Sequence, residues 1–182
     1  MPTVNVDDYS FELINKSKRF NEKAKEETDN IAISAYLQAS LILAIMSLET
    51  TIYSISEELC MRDEFTLLEK SLLLEKKIIF EKGKYVLNDK LKMSRLTDKI
   101  DFLLCRFNYN FDKNKNAWWT QLNQAIRTRN ELIHSKSIPN LTQQIVNNAI
   151  LSVLKCTDVL FMSIYHKKYP HFNKSLVSSY DF

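Results

Sequence analysis

The residues best suited to chemistry lie in one short stretch, QAIRTRNELIHSKSIPN, residues 124–140. Asn130 and His134 are four residues apart, so on an α-helix their side chains lie one above the other, beside Arg129. Arginine holds a phosphate with a planar fork, an amide fixes orientation, and an imidazole can move protons near neutral pH. The trio therefore predicts phosphodiester chemistry at the end of a helix.

RNA suits such a trio because its own 2′-hydroxyl can serve as the nucleophile, so that no metal ion is required. The sequence has no HExxH or DxD motif and no clustered set of acidic ligands. Its three cysteines, Cys60, Cys105 and Cys156, are far apart and form neither a disulfide framework nor a zinc pattern. We expect no metal and no cofactor, and buried thiols in a reducing compartment.

Arg129 is unusual because it falls on the apolar stripe of its helix. The stripe consists of Trp118, Leu122, Ala125, Ile126, Leu132 and Ile133. A guanidinium at this position points toward a core or an interface. Either it serves a site there, or it is structural and pairs with a buried acid such as Glu49.

Helical periodicity dominates the chain and predicts a single all-α domain spanning residues 1–182. The predicted helices cover about 7–27, 30–60, 63–80, 90–107, 117–134 and 141–164. The single glycine, Gly83, indicates an irregular excursion or a small hairpin between the third and fourth helices. Asn140 and Gln143 are spaced like a capping box that starts the sixth helix, which should pack against the fifth. We expect no structure beyond Tyr169.

Charge is divided unevenly along the chain. Residues 1–66 carry 6 Lys/Arg against 12 Asp/Glu (−6), residues 67–136 carry 15 against 8 (+7), and residues 137–182 carry 4 against 2 (+2). The basic central part either attracts a polyanion or is an ordinary solvated face.

The uncharged segment Ile31–Leu48 has almost the length of a membrane-spanning helix. Serine and glutamine side chains interrupt it, and no Lys or Arg anchors stand close to its ends. A buried central helix is the expected alternative. The acidic N-terminus does not resemble a signal peptide, so we expect a cytoplasmic protein without membrane insertion.

The segment RNELIH, Arg129–His134, resembles the R-N-x-x-x-H signature of HEPN domains. These domains are all-helical bundles in which the signature ends one helix and another helix follows. The segment ASLILAIMSLETTIYSI, which contains Glu49, is similar to their long early helix with its acidic residue. The likeness covers about residues 30–165 and implies a HEPN-like bundle of about five to six helices.

The resemblance implies a metal-independent endoribonuclease that leaves 2′,3′-cyclic phosphate ends, of the kind found as prokaryotic toxins and antiviral abortive-infection effectors. Carried over by position, Arg129 binds and neutralises the phosphate, Asn130 orients its neighbours, and His134 is the general base or acid, with Glu49 and Lys136 in support. HEPN proteins commonly form homodimers with a composite active site.

The resemblance also implies a neutralising antitoxin or partner protein. In one branch of HEPN toxins, a tyrosine two positions after the histidine is modified by a nucleotidyltransferase antitoxin. This chain has Lys136 at that position and departs from that branch. The competing expectation is a non-catalytic helical module that binds RNA or a partner protein, with Arg129 and His134 as structural groups.

Overall fold

The computed structural model describes residues 6–108, 111–134, 139–169 and 175–181, and the side chains from residue 8 onward. The described part is an all-α fold with one small hairpin, as the periodicity predicted. Its α-helices are α1 (Val6–Glu26), α2 (Asn30–Cys60), α3 (Leu67–Leu74), α4 (Leu96–Phe107), α5 (Ala117–His134) and α6 (Gln143–Tyr165). The strands are β1 (Lys76–Glu81) and β2 (Lys84–Leu91), and a short 3-10 turn spans Lys113–Lys115.

Helix α2 is the centre of the fold and contacts all five of the other described α-helices. It begins after Asp29, whose carboxylate accepts a hydrogen bond from the amide N–H of Ala32 at 3.0 Å. Helices α2 and α6 are both long and apolar enough to cross a membrane by length and composition. In this fold α2 occupies the position of a core helix. The cellular location stays a prediction.

Two of the serines that interrupt the apolar helix α2, Ser40 and Ser47, face α1. Ser40 donates to the Ser17 carbonyl at 2.8 Å, and Ser17 donates to the Ser40 carbonyl at 2.7 Å. Ser47 donates to the carbonyl of Ser10, also at 2.8 Å. These small side chains let the two helices approach closely while every one of these buried hydroxyl groups keeps a partner.

The prediction of a helix over residues 63–80 is wrong in its second half. Helix α3 is preceded by a capping box formed by Thr66 and Glu69. It ends at Leu74, and the C-cap residue Glu75 has a left-handed backbone with a φ of 55°. The chain then forms β1. Of the two alternatives predicted at Gly83, an irregular excursion or a small hairpin, the structure has the hairpin. Strand β1 pairs antiparallel with β2, and Lys82 and Gly83 both have positive φ in the two-residue turn.

Two other predicted boundaries also differ from the structure. Because β2 extends to Leu91, α4 starts at Leu96 and not near residue 90. The capping box predicted at Asn140 and Gln143 is wrong, because the N-cap of α6 is Thr142, whose hydroxyl accepts from the amide of Ile145 at 3.3 Å. Helix α6 does pack against α5, as expected.

The C-terminal tail has contacts that the sequence did not predict. Residues 175–181 form no helix or strand, but they lie on α1. The Ser178 amide donates to Glu22 at 2.7 Å, and its hydroxyl donates to the carbonyl of Asn15 at 3.1 Å. The tail therefore covers part of the first helix.

Candidate functional site

A cleft of about 680 Å³ opens between α5, the middle of α2 and the segment that leads into α4. Its lining comprises Glu49, residues 93–97 and the α5 residues Asn123, Ile126, Arg127, Arg129, Asn130 and His134. Four of the five residues singled out from the sequence therefore line one cavity. The fifth, Lys136, lies outside the described residues.

Arg129 is held by an ion pair across the cleft. Its guanidinium Nη2 donates to Oε1 of Glu49 on α2. The Arg129 side chain is 16% exposed and that of Glu49 is 42% exposed. The pairing predicted as the structural alternative is thus present. Because a guanidinium has five N–H donors, the pair with Glu49 leaves donors available to a second anion.

Asn130 and His134 lie on the exposed side of α5 and both line the cleft. Within the described residues, neither side chain has a hydrogen-bond or ion-pair partner. His134 is the last residue of α5 and is exposed, so its imidazole is accessible from solvent. These two groups are available to a ligand, whereas Arg129 has one fixed contact.

Two arginines in the cleft were not among the residues predicted from the sequence. Arg127 is exposed on α5, and Arg95 is the N-cap residue of α4, without a side-chain cap hydrogen bond. In the part of the chain that the structure describes, neither has an ion-pair partner. Three guanidinium groups therefore face one carboxylate, Glu49, which makes the cleft suited to a polyanion.

A local signal could have found Arg127. Asn123, Arg127, Asn130 and His134 recur at intervals of four, three and four residues, which is the spacing of one helix face. All four line the cleft. No local signal identifies Arg95, because only the tertiary fold brings the segment before α4 to the cavity that α5 also lines.

The two tryptophans of α5 belong to the packing of the helix. Trp118 and Trp119 are partly buried against the core, and their rings lie 5.7 Å and 6.4 Å from that of Phe111. The indole N–H of Trp118 donates to the Asn116 side chain at 3.1 Å. Trp118 lies on the predicted apolar stripe and packs against the core, as the stripe requires. Trp119 lies off that stripe but packs in the same way.

The described residues include no group of three or more His, Cys, Asp or Glu side chains placed to hold a metal ion. The polar side chains that line the cleft are one imidazole, two amides, two hydroxyls, one carboxylate and three guanidinium groups. Metal independence itself stays a prediction.

The chain was also compared with family models, with curated proteins and with solved structures, and no match was found in any of the three.

Proposed function

We propose that the cleft binds RNA and that the protein is a metal-independent endoribonuclease of HEPN type, acting in the cytoplasm as a prokaryotic toxin or antiviral-defence effector. The observation that carries this proposal is the convergence of Arg95, Arg127 and Arg129 with Asn130 and His134 around one cavity. A phosphodiester carries the negative charge that three guanidinium groups bind. RNA, unlike DNA, also carries a 2′-hydroxyl group that can act as the nucleophile.

The proposed reaction is an internal transesterification. The 2′-oxygen attacks the adjacent phosphorus, a base accepts the 2′-hydroxyl proton, and an acid donates a proton to the departing 5′-oxygen. The 2′-O–P bond forms as the P–O5′ bond breaks, which leaves a 2′,3′-cyclic phosphate and a 5′-hydroxyl. Arg129 neutralises the phosphorane-like charge, Glu49 holds Arg129 in place, and Asn130 orients the phosphate.

His134 can perform one of the two proton transfers within a protomer. A homodimer that places two copies of α5 side by side would bring two imidazoles to one phosphate, one as base and one as acid. The exposed position of His134 at the end of its helix is compatible with such a composite site. Association through this end of α5 is therefore part of the proposal, as is a neutralising partner protein that covers the cleft.

The decisive experiment is to incubate purified protein with RNA in a chelator and to follow cleavage. His134→Ala should lower the rate by about a hundredfold or more, the usual scale for a general acid or base. His166→Asn is the matched control, because His166 is an exposed histidine outside the cleft and asparagine tolerates its left-handed φ of 54°. New 3′ ends should resist phosphatase until mild acid opens the cyclic phosphate. If the folded wild-type protein leaves RNA intact, the proposal is wrong.

A second candidate function is a non-catalytic module that binds RNA or a partner protein. The ion pair between Arg129 and Glu49 favours it, since the pair gives Arg129 a structural role without any substrate. On this alternative, Arg129→Ala lowers the melting temperature and no purified form cleaves RNA.

A further inference from the structure

The hairpin of β1 and β2 combines exposed aromatic rings with unpaired lysines. Phe80 and Tyr85 are directly opposite each other in the antiparallel register, so their side chains share one face. They are 67% and 69% exposed, and their rings meet edge to face with centroids 5.3 Å apart. Two large aromatic rings at the end of a projecting hairpin bury too little surface to be explained by packing.

The same hairpin is strongly basic. Residues 76–92 carry six lysines and two acids. Lys76 pairs with Asp89 at 2.7 Å, and Lys92 donates to Ser71 at 3.3 Å. Among the described residues no ion-pair partner is found for the other four, which are Lys77, Lys82, Lys84 and Lys90. Because side chains alternate along a strand, Lys77 and Lys84 lie on the face opposite Phe80 and Tyr85, whereas Lys82 lies in the turn beside the rings. The hairpin therefore carries unpaired positive charge close to its aromatic face and on its other side.

The hairpin is continuous with the cleft. Strand β2 ends at Leu91, and residues 93–97, which follow within two positions, form one wall of the cavity. Eight strand residues span about 25 Å at ~3.3 Å per residue. A chain lying along β2 would thus pass from the aromatic pair to Arg95 and then to the cleft.

We propose that the hairpin of Phe80, Tyr85 and the lysines of β1 and β2 binds unpaired RNA and guides it into the cleft. This inference builds on the proposed function, because it names the form of RNA that the same site receives. Bases stack on aromatic rings while phosphates pair with lysines. A protein partner would have to desolvate four ammonium groups, and lysine is depleted at protein interfaces. A single-stranded nucleic acid offers bases to the aromatic rings and phosphates to the ammonium groups.

Unpaired nucleotides are favoured over a duplex for two reasons. Stacking on Phe80 and Tyr85 requires free base faces, which a duplex buries. The deep and narrow major groove of A-form RNA also does not admit a protein ribbon. The hairpin should therefore select single strands, loops or unpaired ends.

The test is a binding measurement that does not depend on cleavage. Fluorescence anisotropy is followed with a labelled oligoribonucleotide of about 16 nucleotides, the upper end of a stacking site, and with its duplex, in chelator. The protein carries His134→Ala so that RNA stays intact. Phe80→Ala and Tyr85→Ala should each weaken single-strand binding about tenfold, with little change for the duplex. Circular dichroism confirms that the variants fold.

Matched variants separate stacking from other causes. Tyr85→Phe keeps the ring and should keep the affinity, whereas Phe80→Leu keeps an apolar side chain without a ring and should lose it. Tyr53→Ala, at an exposed tyrosine of α2, should change nothing. Lys82→Gln, in the turn beside the rings, should reduce the magnitude of the slope of log K against log salt by about 0.7. Lys77→Gln and Lys84→Gln, on the opposite face of the strands, should reduce it less, and Lys25→Gln on α1 should leave it unchanged.

The outcomes are distinguishable from a failure of the proposed function. If the wild-type protein does not cleave RNA but the ring variants lose single-strand binding, the hairpin inference stands and the nuclease proposal falls. If the double variant Phe80→Ala/Tyr85→Ala binds single strands as tightly as its parent, the inference is overturned, whatever the cleavage result. It is equally overturned if that variant changes the sedimentation coefficient and leaves RNA affinity unchanged, because the hairpin is then a protein interface.

Discussion

Arg129 on α5 and Glu49 on α2 form the ion pair that joins the two main walls of the cleft. Arg129 and Glu49 are 80 residues apart in sequence, so the pair constrains how α5 packs against α2. The guanidinium is mostly buried and the carboxylate is partly solvated, which places the Arg129 charge at the boundary between core and cavity. Its position on the apolar stripe of α5 follows from this arrangement.

The stability of the fold should report this pair. Arg129→Met keeps the apolar stem and removes the charge, and Glu49→Gln keeps the shape of its partner. Each single change should destabilise the protein, and the double variant should lose about 1 kcal/mol less than the sum, as expected for a partly exposed pair. Urea unfolding of the four proteins measures this coupling. A coupling of zero would show that the pair contributes nothing in solution.

Variants of Arg129 and Glu49 should have opposite effects on the interaction with RNA, although both should lower the stability of the fold. If Arg129 binds phosphate, Arg129→Met should lower cleavage about a hundredfold or more, and Arg129→Lys should also be poor because a point charge lacks the two-pronged geometry. Glu49→Gln keeps a side-chain oxygen that can accept from Arg129 and removes a negative charge from the cleft, so RNA affinity should rise at low salt. Equal losses of affinity from both changes would indicate a structural pair alone.

The remaining arginines of the cleft should appear in the salt dependence of RNA binding. Arg95→Gln and Arg127→Gln should each make the negative slope of log K against log salt shallower by about 0.7, which is the amount for one phosphate contact on a single strand. Arg62→Gln is the control, since Arg62 lies outside the cleft and is paired with Glu58 at 3.1 Å. An unchanged slope in both cleft variants would remove these two residues from the site.

Much of this arrangement could be predicted from the sequence because it is encoded locally. The limits of α2 follow from its long uncharged run and those of α5 from its apolar periodicity. Gly83 indicates the break at which the hairpin lies, as one of two alternatives. The sequence predicts a helix through KKIIF because periodicity alone does not distinguish the short apolar run IIF of a strand from a helical segment. Its strand conformation depends on pairing with residues 84–91. Arg95 likewise needed the tertiary structure, whereas Arg127 could have been found from the spacing of the polar face.

Two further predictions from the stripe and the cysteines were wrong. Ile133 was placed on the buried stripe, yet its side chain is 49% exposed, while Leu132 packs against the core. Cys105 was expected to be buried and is exposed, whereas Cys156 is buried and Cys60 is partly buried. Neither an apolar stripe nor the spacing of cysteines shows whether a neighbouring element covers the side chain, and burial depends on that cover.

Association through the end of α5 should depend on Ile133. An aspartate at this exposed position next to His134 leaves the core intact and places a charge in any seam formed there, so Ile133→Asp should convert a dimer to a monomer without unfolding it. Leu132→Asp should instead destabilise the fold. Sedimentation at micromolar concentration, with thermal unfolding in parallel, tests both. Ile31→Asp is the control, because Ile31 is exposed at the first turn of α2, where an acid is tolerated. A wild-type monomer would count against a composite site.

The three cysteines should differ in reactivity according to burial. Thiolate is the reactive form. Burial raises the pKa of the Cys156 thiol far above its usual range, and desolvation also raises the pKa of the half-buried Cys60 thiol, an effect that the nearby Lys70 opposes. Alkylation of the folded protein followed by peptide mass spectrometry should therefore modify Cys105 first, Cys60 slowly, and Cys156 only after unfolding. Rapid labelling of Cys156 in folded protein would contradict its buried position.

The raised pKa of Cys156 also predicts a pH dependence of stability. In the unfolded chain this thiol ionises near its ordinary pKa of about 8.5, whereas in the folded protein it stays protonated. The folded state therefore binds more protons above that pH, and stability should fall as pH rises, by at most about 1.4 kcal/mol per pH unit.

Cys156→Ala lowers the absolute stability by leaving a small void but should flatten this decline. The exposed Cys105→Ala serves as the control and should leave the slope unchanged. Urea unfolding at a series of pH values between about 8 and 10 measures the slopes, and equal slopes for both variants would show that Cys156 ionises in the folded protein as it does in the unfolded chain.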